Sequence, residues 1–252
     1  MIWNLVGMDL AQIISSGTIY FALAFIPPIL WLLIYLREDL HPEPFRMILL
    51  AFAGGIAAGI AALIAERGVT WGIDADKQFI IFFAAIALIE EYAKYLSVKF
   101  LILNQPDFNE PMDAMIYMVT AGLGFAAIEN ILFLLAQVYD PNLLLGENMI
   151  AGAQLSAARF VGANLLHALA SAVVGYFLAR AWFRPRRHHW VALGILLAAL
   201  LHAGFNYLII VKDILPGAIA YTAGLLAIAL VVVLIDFHKL KRESSELSYA
   251  QR

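Results

Sequence analysis

The sequence predicts an all-α, polytopic integral membrane protein, a helix bundle with about seven transmembrane helices in one domain over residues 1–252. Three observations predict it. Of the 252 residues, 63% are hydrophobic and 14% charged, and the mean hydropathy is +0.84, well above an ordinary globular domain. The apolar residues gather into stretches near or above the ~20 residues that a helix needs to cross a bilayer. These stretches are unbroken, which suits helices, whose backbone groups pair within the segment, and not the alternating strands of a barrel.

The elements follow in order. Residues 1–16 are too short and polar to span and read as an amphipathic lead-in. No Lys or Arg precedes Arg37, so the basic start of a cleavable signal peptide is missing and the segment is expected to be retained. Apolar spans are expected at 17–36, 46–66, 78–103, 111–138, 157–182, 189–211 and 215–237. The third and fourth exceed the minimum and should tilt or project into the interface. Span two carries Gly55 and Gly59 as a GxxxG pair, which lets it approach another helix closely or form a homodimer. Span four opens with "NEPMDA", with Asn109 as the expected cap, Pro111 in the first turn and Asp113 favourable to the helix dipole. Its "GLGF" (Gly122 to Phe125) should bring it close to a neighbour. Residues 238–252 form a tail.

Lys and Arg set the orientation. With the N-terminus outside, the cytoplasmic side holds Arg37, Arg46, Lys99, Arg180, Arg184, Arg186, Arg187, Lys239, Lys241, Arg242 and Arg252. The other side keeps Arg67, Lys77, Arg159 and Lys212. The excess puts the C-terminus in the cytoplasm, with "WFRPRRHH" (Trp182 to His189) as a solvated cytoplasmic loop. Absence of cysteine excludes disulfides, thiolate metal sites and cysteine nucleophiles. A net charge of -3 with basic residues only at membrane edges gives no case for nucleic-acid binding.

Charged residues at the bilayer centre cost ~2.5–3.5 kcal/mol each and need partners. This chain places Glu90, Glu91 and Lys94 on span three, Glu129 and Asn130 on span four, Asn164, His167 and Ser171 on span five, and His202 and Asn206 on span six. Alternate spans run in opposite directions. Converting position to depth at ~1.5 Å per residue puts Glu90, Glu129, His167 and His202 all roughly 13–18 Å below the outer surface. That common depth is the main physical argument for one site. Spacing adds to it: Lys94 is one turn from both Glu90 and Glu91, His202 and Asn206 are i,i+4, and His167 has Ser171 and Asn164 a turn away on either side.

Histidines and carboxylates converging in low dielectric form either a metal site or an acid/base centre. Singly, each has a plainer reading: Glu90 with Lys94 as a structural ion pair, His167 as an interhelical hydrogen-bonding residue. Combined at one depth, they favour a functional centre.

The pattern resembles the PrsW-type intramembrane proteases, in the larger group that holds the CAAX-prenyl endopeptidases and the Abi proteins. It is carried by "REDLHPEP" (Arg37 to Pro44), "EEYAK" (Glu90 to Lys94), "EPMDAMIYMVTAGLGFAAIEN" (Glu110 to Asn130), "HALASAVVGYFLA" (His167 to Ala179) and "LHAGFN" (Leu201 to Asn206). Ala114 stands where the family commonly has Gly. The resemblance implies a membrane-embedded endopeptidase of a bacterial plasma membrane, acting on a membrane-anchored protein such as an anti-sigma factor. By motif, Glu90 and Glu91 are the catalytic glutamate pair. Glu129, His167 and His202 complete the site, and Asn206 matches a position linked to oxyanion stabilisation.

The expected chemistry is peptide hydrolysis by water activated by Glu90 or Glu91, with Lys94, Asn130, Asn164 and Ser171 in support. His202 and Asn206 would donate to the oxyanion. The cofactor is open: Glu129, His167 and His202 could hold zinc with a free fourth position, and the metal-free version is preferred. Two other classes stay in view. One is a non-catalytic scaffold of the same group. The other is a proton-coupled transporter using the buried Glu, Lys and His, although no internal repeat supports it.

Overall fold

The computed structural model describes residues 10–39, 41–74, 78–137, 145–182 and 187–250, and these are helical apart from short connections. The helices are α1 (Leu10–Tyr35), α2 (Phe45–Gly72), α3 (Phe79–Leu101), α4 (Pro111–Gln137), α5 (Leu145–Arg159), α6 (Leu165–Trp182), α7 (Arg187–Ile210) and α8 (Ala218–Ala250). A π-helical turn, Phe160–Asn164, joins α5 to α6. Among the described residues, six segments are long and apolar enough to cross a membrane: those of α1, α2, α4, α5 with α6, α7 and α8. The seventh expected span is α3, whose Glu90, Glu91, Lys94 and Lys99 set it apart from these six.

Several boundaries differ from expectation. The lead-in is not separate from Leu10 onward, because α1 starts there, and residues 1–9 lie outside the described residues. The helix of the fifth span begins at Leu145 instead of 157 and reaches Trp182 through the π turn. The tail continues α8 to Ala250. In the "WFRPRRHH" stretch, residues 183–186 are outside the described ones, and His188 and His189 lie exposed in the first turn of α7. At the start of α4 the cap is Asp113 and not Asn109. The Asp113 carboxylate accepts the backbone N–H groups of Asn109 (2.8 Å) and Glu110 (2.9 Å), donors that the new helix leaves without intrahelical partners.

α4 is the central post. Every residue from Pro111 to Ala127 is buried, as befits a helix apolar on all sides, and α4 packs on α1, α2 and α6. Small residues make this possible. A Cβ on Gly55 would stand 1.9 Å from the carbonyl oxygen of Ala121, so α2 and α4 cross at backbone contact. The GxxxG pair therefore receives α4 of the same chain, with Gly59 against Ile128. Likewise a Cβ on Gly122 would meet Ser171 Oγ at 2.2 Å and the His167 carbonyl at 2.9 Å, which holds α6 against α4 at the turn that carries His167. α3 packs between α2 and α7, so its charged face points into the bundle.

One end of the bundle is ringed by ion pairs. Arg46 meets Asp107 at 2.6 Å, Arg180 meets Glu243 at 2.6 Å and Lys241 meets Glu38 at 3.6 Å. These join basic residues from three of the helix ends, those of α2, α6 and α8, that the charge pattern assigns to one face of the membrane.

Candidate active site

The polar residues scattered over spans three to six meet in one buried chain. On α3, the periodicity that buries Ala87 and Val98 also buries Glu90, Glu91 and Lys94. Lys94 donates to Glu91 Oε1 at 2.7 Å and to His167 Nδ1 at 2.8 Å, and its ammonium lies 4.4 Å from the centroid of the Phe125 ring. Lys94 has no acceptor, so Nδ1 of His167 carries the lone pair and Nε2 the proton. That Nε2–H donates to Glu129 Oε2 at 2.9 Å. On the other side of Glu91, His202 Nδ1–H donates to the same Oε1 at 2.8 Å. The two imidazoles stand edge to face, 5.1 Å apart.

This bonding fixes what is free. With its proton turned to Glu91, His202 presents a lone pair at Nε2, 3.7 Å from Glu90 Oε2, which is buried and without a hydrogen-bond partner. Two acceptors face each other with no donor between them, an arrangement that calls for a water or a cation. A cleft of ≈ 40 Å³, room for water, reaches Glu90 and Glu129 between α2 and α4 and is lined also by Gly59, Glu66 and Phe125.

The supporting residues divide. Asn130 donates to Asn164 Oδ1 (3.0 Å) and to the Ala24 carbonyl (3.0 Å), tying α4 to the π turn and to α1. Ser171 is buried against Gly122 with its Oγ unpartnered. Asn206, one turn past His202, is part-exposed, and its side-chain amide makes no hydrogen bond among the described residues. Two residues escaped the sequence reading. Arg159, placed there at the outer edge of span five, sends its guanidinium inward to Glu129 and Asn130. Glu66 lines the cleft from α2. The usable signal for Arg159 was the earlier helix start, which puts it well inside a continuous 35-residue helical stretch.

Comparison with known proteins gives this geometry a family. A model described as the PrsW family intramembrane metalloprotease matches residues 43–235. The chain belongs to this family. PrsW membership makes it an intramembrane protease, a hydrolase integral to the cell membrane, in keeping with its six apolar spans. Proteins named "Protease PrsW" are similar to it. That of Oceanobacillus iheyensis is 29% identical over 219 residues, 86% of this chain and 93% of the relative. That of Geobacillus kaustophilus is 28% identical over 185 residues, covering 71% and 74%. The Bacillus subtilis protein is 24% identical over 177 residues, covering 69% and 75%. No solved structure matches the chain.

The metal in the PrsW family description can be tested against the donor set. Glu90, His167 and His202 each offer one ligand atom within 4.8 Å of the others, and two imidazoles with one carboxylate suit zinc. The free Nε2 of His202, backed by Glu91 on Nδ1, is oriented as metal-bound histidines are. The fit has two conditions: His167 must exchange its Nε2 bond to Glu129 for the ion, and, because a metal on Nε2 leaves the ring proton on Nδ1, it must also part from the Lys94 ammonium. Glu129 lies outside the group, so Glu90 takes the place that sequence reading gave to Glu129 in the ligand set.

Proposed function

We propose that the Glu90–His202 gap is the catalytic centre of an endopeptidase that hydrolyses a membrane-anchored protein within the bilayer, with the N-terminus of the enzyme outside and its C-terminus in the cytoplasm. The carrying observation is the pair of facing acceptors, Glu90 Oε2 and His202 Nε2, with Glu90 also lining a water-sized cleft. A water beside this gap donates one hydrogen to each. Its lone pair is then turned away from both and toward a peptide carbonyl entering the cleft.

Attack on that carbonyl carbon sends one water proton to Glu90, the general base. Asn206, which has an uncommitted amide one turn from His202, donates to the oxyanion, a contact worth ~2.7–4 kcal/mol when one such donor is lost. Collapse of the tetrahedral intermediate breaks the C–N bond, and Glu90 returns its proton to the leaving amine. Glu91 and Lys94 hold His202 and His167 in place and do not take part in the proton transfers. Zinc, when bound by Glu90, His167 and His202, would polarise the carbonyl and acidify the water. The substrate helix unwinds locally, since a helical peptide bond is shielded by its own hydrogen bonds.

Mass spectrometry of membrane proteins shortened or released in cells expressing the wild type, against a Glu90→Ala control, tests this reading and identifies the substrate. The wild type should generate specific cleaved species that the control lacks. Identical profiles would sink it.

A further inference from the structure

The side-chain cluster that the proposed reaction leaves unused stands behind Glu129. Arg159 ends α5 and its guanidinium is gripped from three directions. Nη2 donates to Glu129 Oε2, Nε donates to Asn130 Oδ1, and the plane lies 4.2 Å from the centroid of the Phe133 ring. Asn130 is itself anchored to Asn164 and to the Ala24 carbonyl. The fork therefore has a single direction, and it points at one carboxylate oxygen.

That oxygen is the one His167 uses. Glu129 Oε2 accepts both the Arg159 N–H and the His167 Nε2–H. Its other oxygen has no such hold, and the Glu129 side chain is 22% exposed along the cleft. Without the guanidinium, Glu129 would be a buried anion held by one neutral imidazole and could turn toward the cleft. His167 would then lose the acceptor of its Nε2–H, and the Lys94 ammonium on Nδ1 would be its remaining hold. Arg159 does not line the cleft, so its effect on the reaction passes through Glu129, with Asn130 as the second arm of the same fork.

We propose that Arg159 is a positioning residue: acting through Glu129, it fixes the His167 ring in the orientation that joins α6 to Lys94 on α3. This rests on the catalytic reading of the Glu90–His202 centre and extends it to a fifth helix. The planar fork serves Glu129 and Asn130 together, which a lysine's single ammonium cannot reproduce in full.

The test uses the full-length protein, labelled with 15N-histidine in lipid nanodiscs, with the His167 resonances assigned by their loss in His167→Gln. In the wild type His167 should show a protonated Nε2 and an unprotonated Nδ1. Arg159→Met should keep that tautomer, which Lys94 fixes, but move and broaden the His167 Nε2 resonance as its bond to Glu129 is lost, and slow the cleavage of membrane proteins shortened by the wild type by up to ~100-fold. Arg159→Lys should restore part of the rate. In case Arg159→Met fails to fold, Glu129→Gln/Arg159→Met leaves neither charge alone, and it should cleave no more slowly than Glu129→Gln. An unchanged His167 Nε2 resonance in Arg159→Met, or a double variant slower than Glu129→Gln by a further tenfold, overturns the positioning role. Normal cleavage by Glu90→Gln would instead overturn the catalytic reading, whatever His167 does.

Discussion

Replacing Lys94 with methionine removes the cation from the middle of the buried chain while keeping most of its volume. Lys94 is fully buried and gives hydrogen bonds of 2.7 Å to Glu91 and 2.8 Å to His167. A hydrogen bond to a charged group is worth ~1.5–3 kcal/mol, so two lost bonds amount to about 3–6 kcal/mol. Removing one partner of a buried ion pair costs ~3–5 kcal/mol, because the other charge stays buried and unmatched. The two routes converge on about 3–5 kcal/mol, several times the ~0–1 kcal/mol of an exposed pair. Reversible unfolding of the purified protein in mixed micelles measures this, run beside Glu91→Gln and the double variant. Lys94→Met/Glu91→Gln removes both charges of the pair and should cost less than the sum of the singles by ~1 kcal/mol or more. A Lys94→Met protein within ~1 kcal/mol of the wild type, or strict additivity, would refute the claim that Lys94 neutralises Glu91.

Three other outcomes are expected. Gly55→Ala drives a methyl into the Ala121 carbonyl and should lower the melting temperature by the same amount at every protein concentration, since the contact lies within one chain; ~1–3 kcal/mol is the scale of such overpacking. Gly122→Ala presses on the turn that bears His167 and should reduce cleavage together with stability, with Gly17→Ala, which meets nothing, as the silent control. Burial pushes the Glu43 carboxyl up to about 8 from 4.5, where it accepts a hydrogen bond from Tyr117. A carboxyl raised in the folded state stabilises fully below its unfolded value and loses that contribution as pH rises through the folded one. The melting temperature should therefore fall between pH 4.5 and about 8, and Glu43→Gln should flatten the fall.

How much of this could be read in the sequence depended on the kind of signal. Glu90, Glu129, His167 and His202 could be aligned in depth because each is a polar residue within an apolar run, and helix rise alone turns position into height. Helical spacing allowed Lys94 to meet either Glu90 or Glu91, and the structure pairs it with Glu91. Which partners each ring nitrogen takes did not follow, since that depends on helix rotation: Lys94 bonds His167 on α6, and Glu91 instead of Glu90 bonds His202. Arg159 was hidden by a boundary. An arginine at a helix end belongs to the membrane edge, and only a helix beginning at Leu145 carries it inward. The GxxxG pair announced a close crossing but not its partner, because small residues admit any backbone. Buried Glu, Lys and His also suit a transporter, and it is the match to the PrsW family over residues 43–235 that decides for a protease.

The charge that fits α3 to its place in the finished bundle also governs how the chain enters the membrane. Glu90, Glu91 and Lys94 together oppose insertion of α3 by about 7–10 kcal/mol if lipid is its only company. The Glu91–Lys94 contact is available at once, but Lys94 waits 73 residues of synthesis for His167, and Glu91 waits 111 for His202. Until α6 and α7 emerge, α3 depends on α2 and α4 for shelter from the lipid. The backbone-close crossing at Gly55 and Ala121 gives the nascent chain a dry surface on which to hold it. Biogenesis of this protein thus has an order written into it: the charged helix held against α2 as it emerges, α4 then closing on α2 beside it, and the histidine helices last to close the charge.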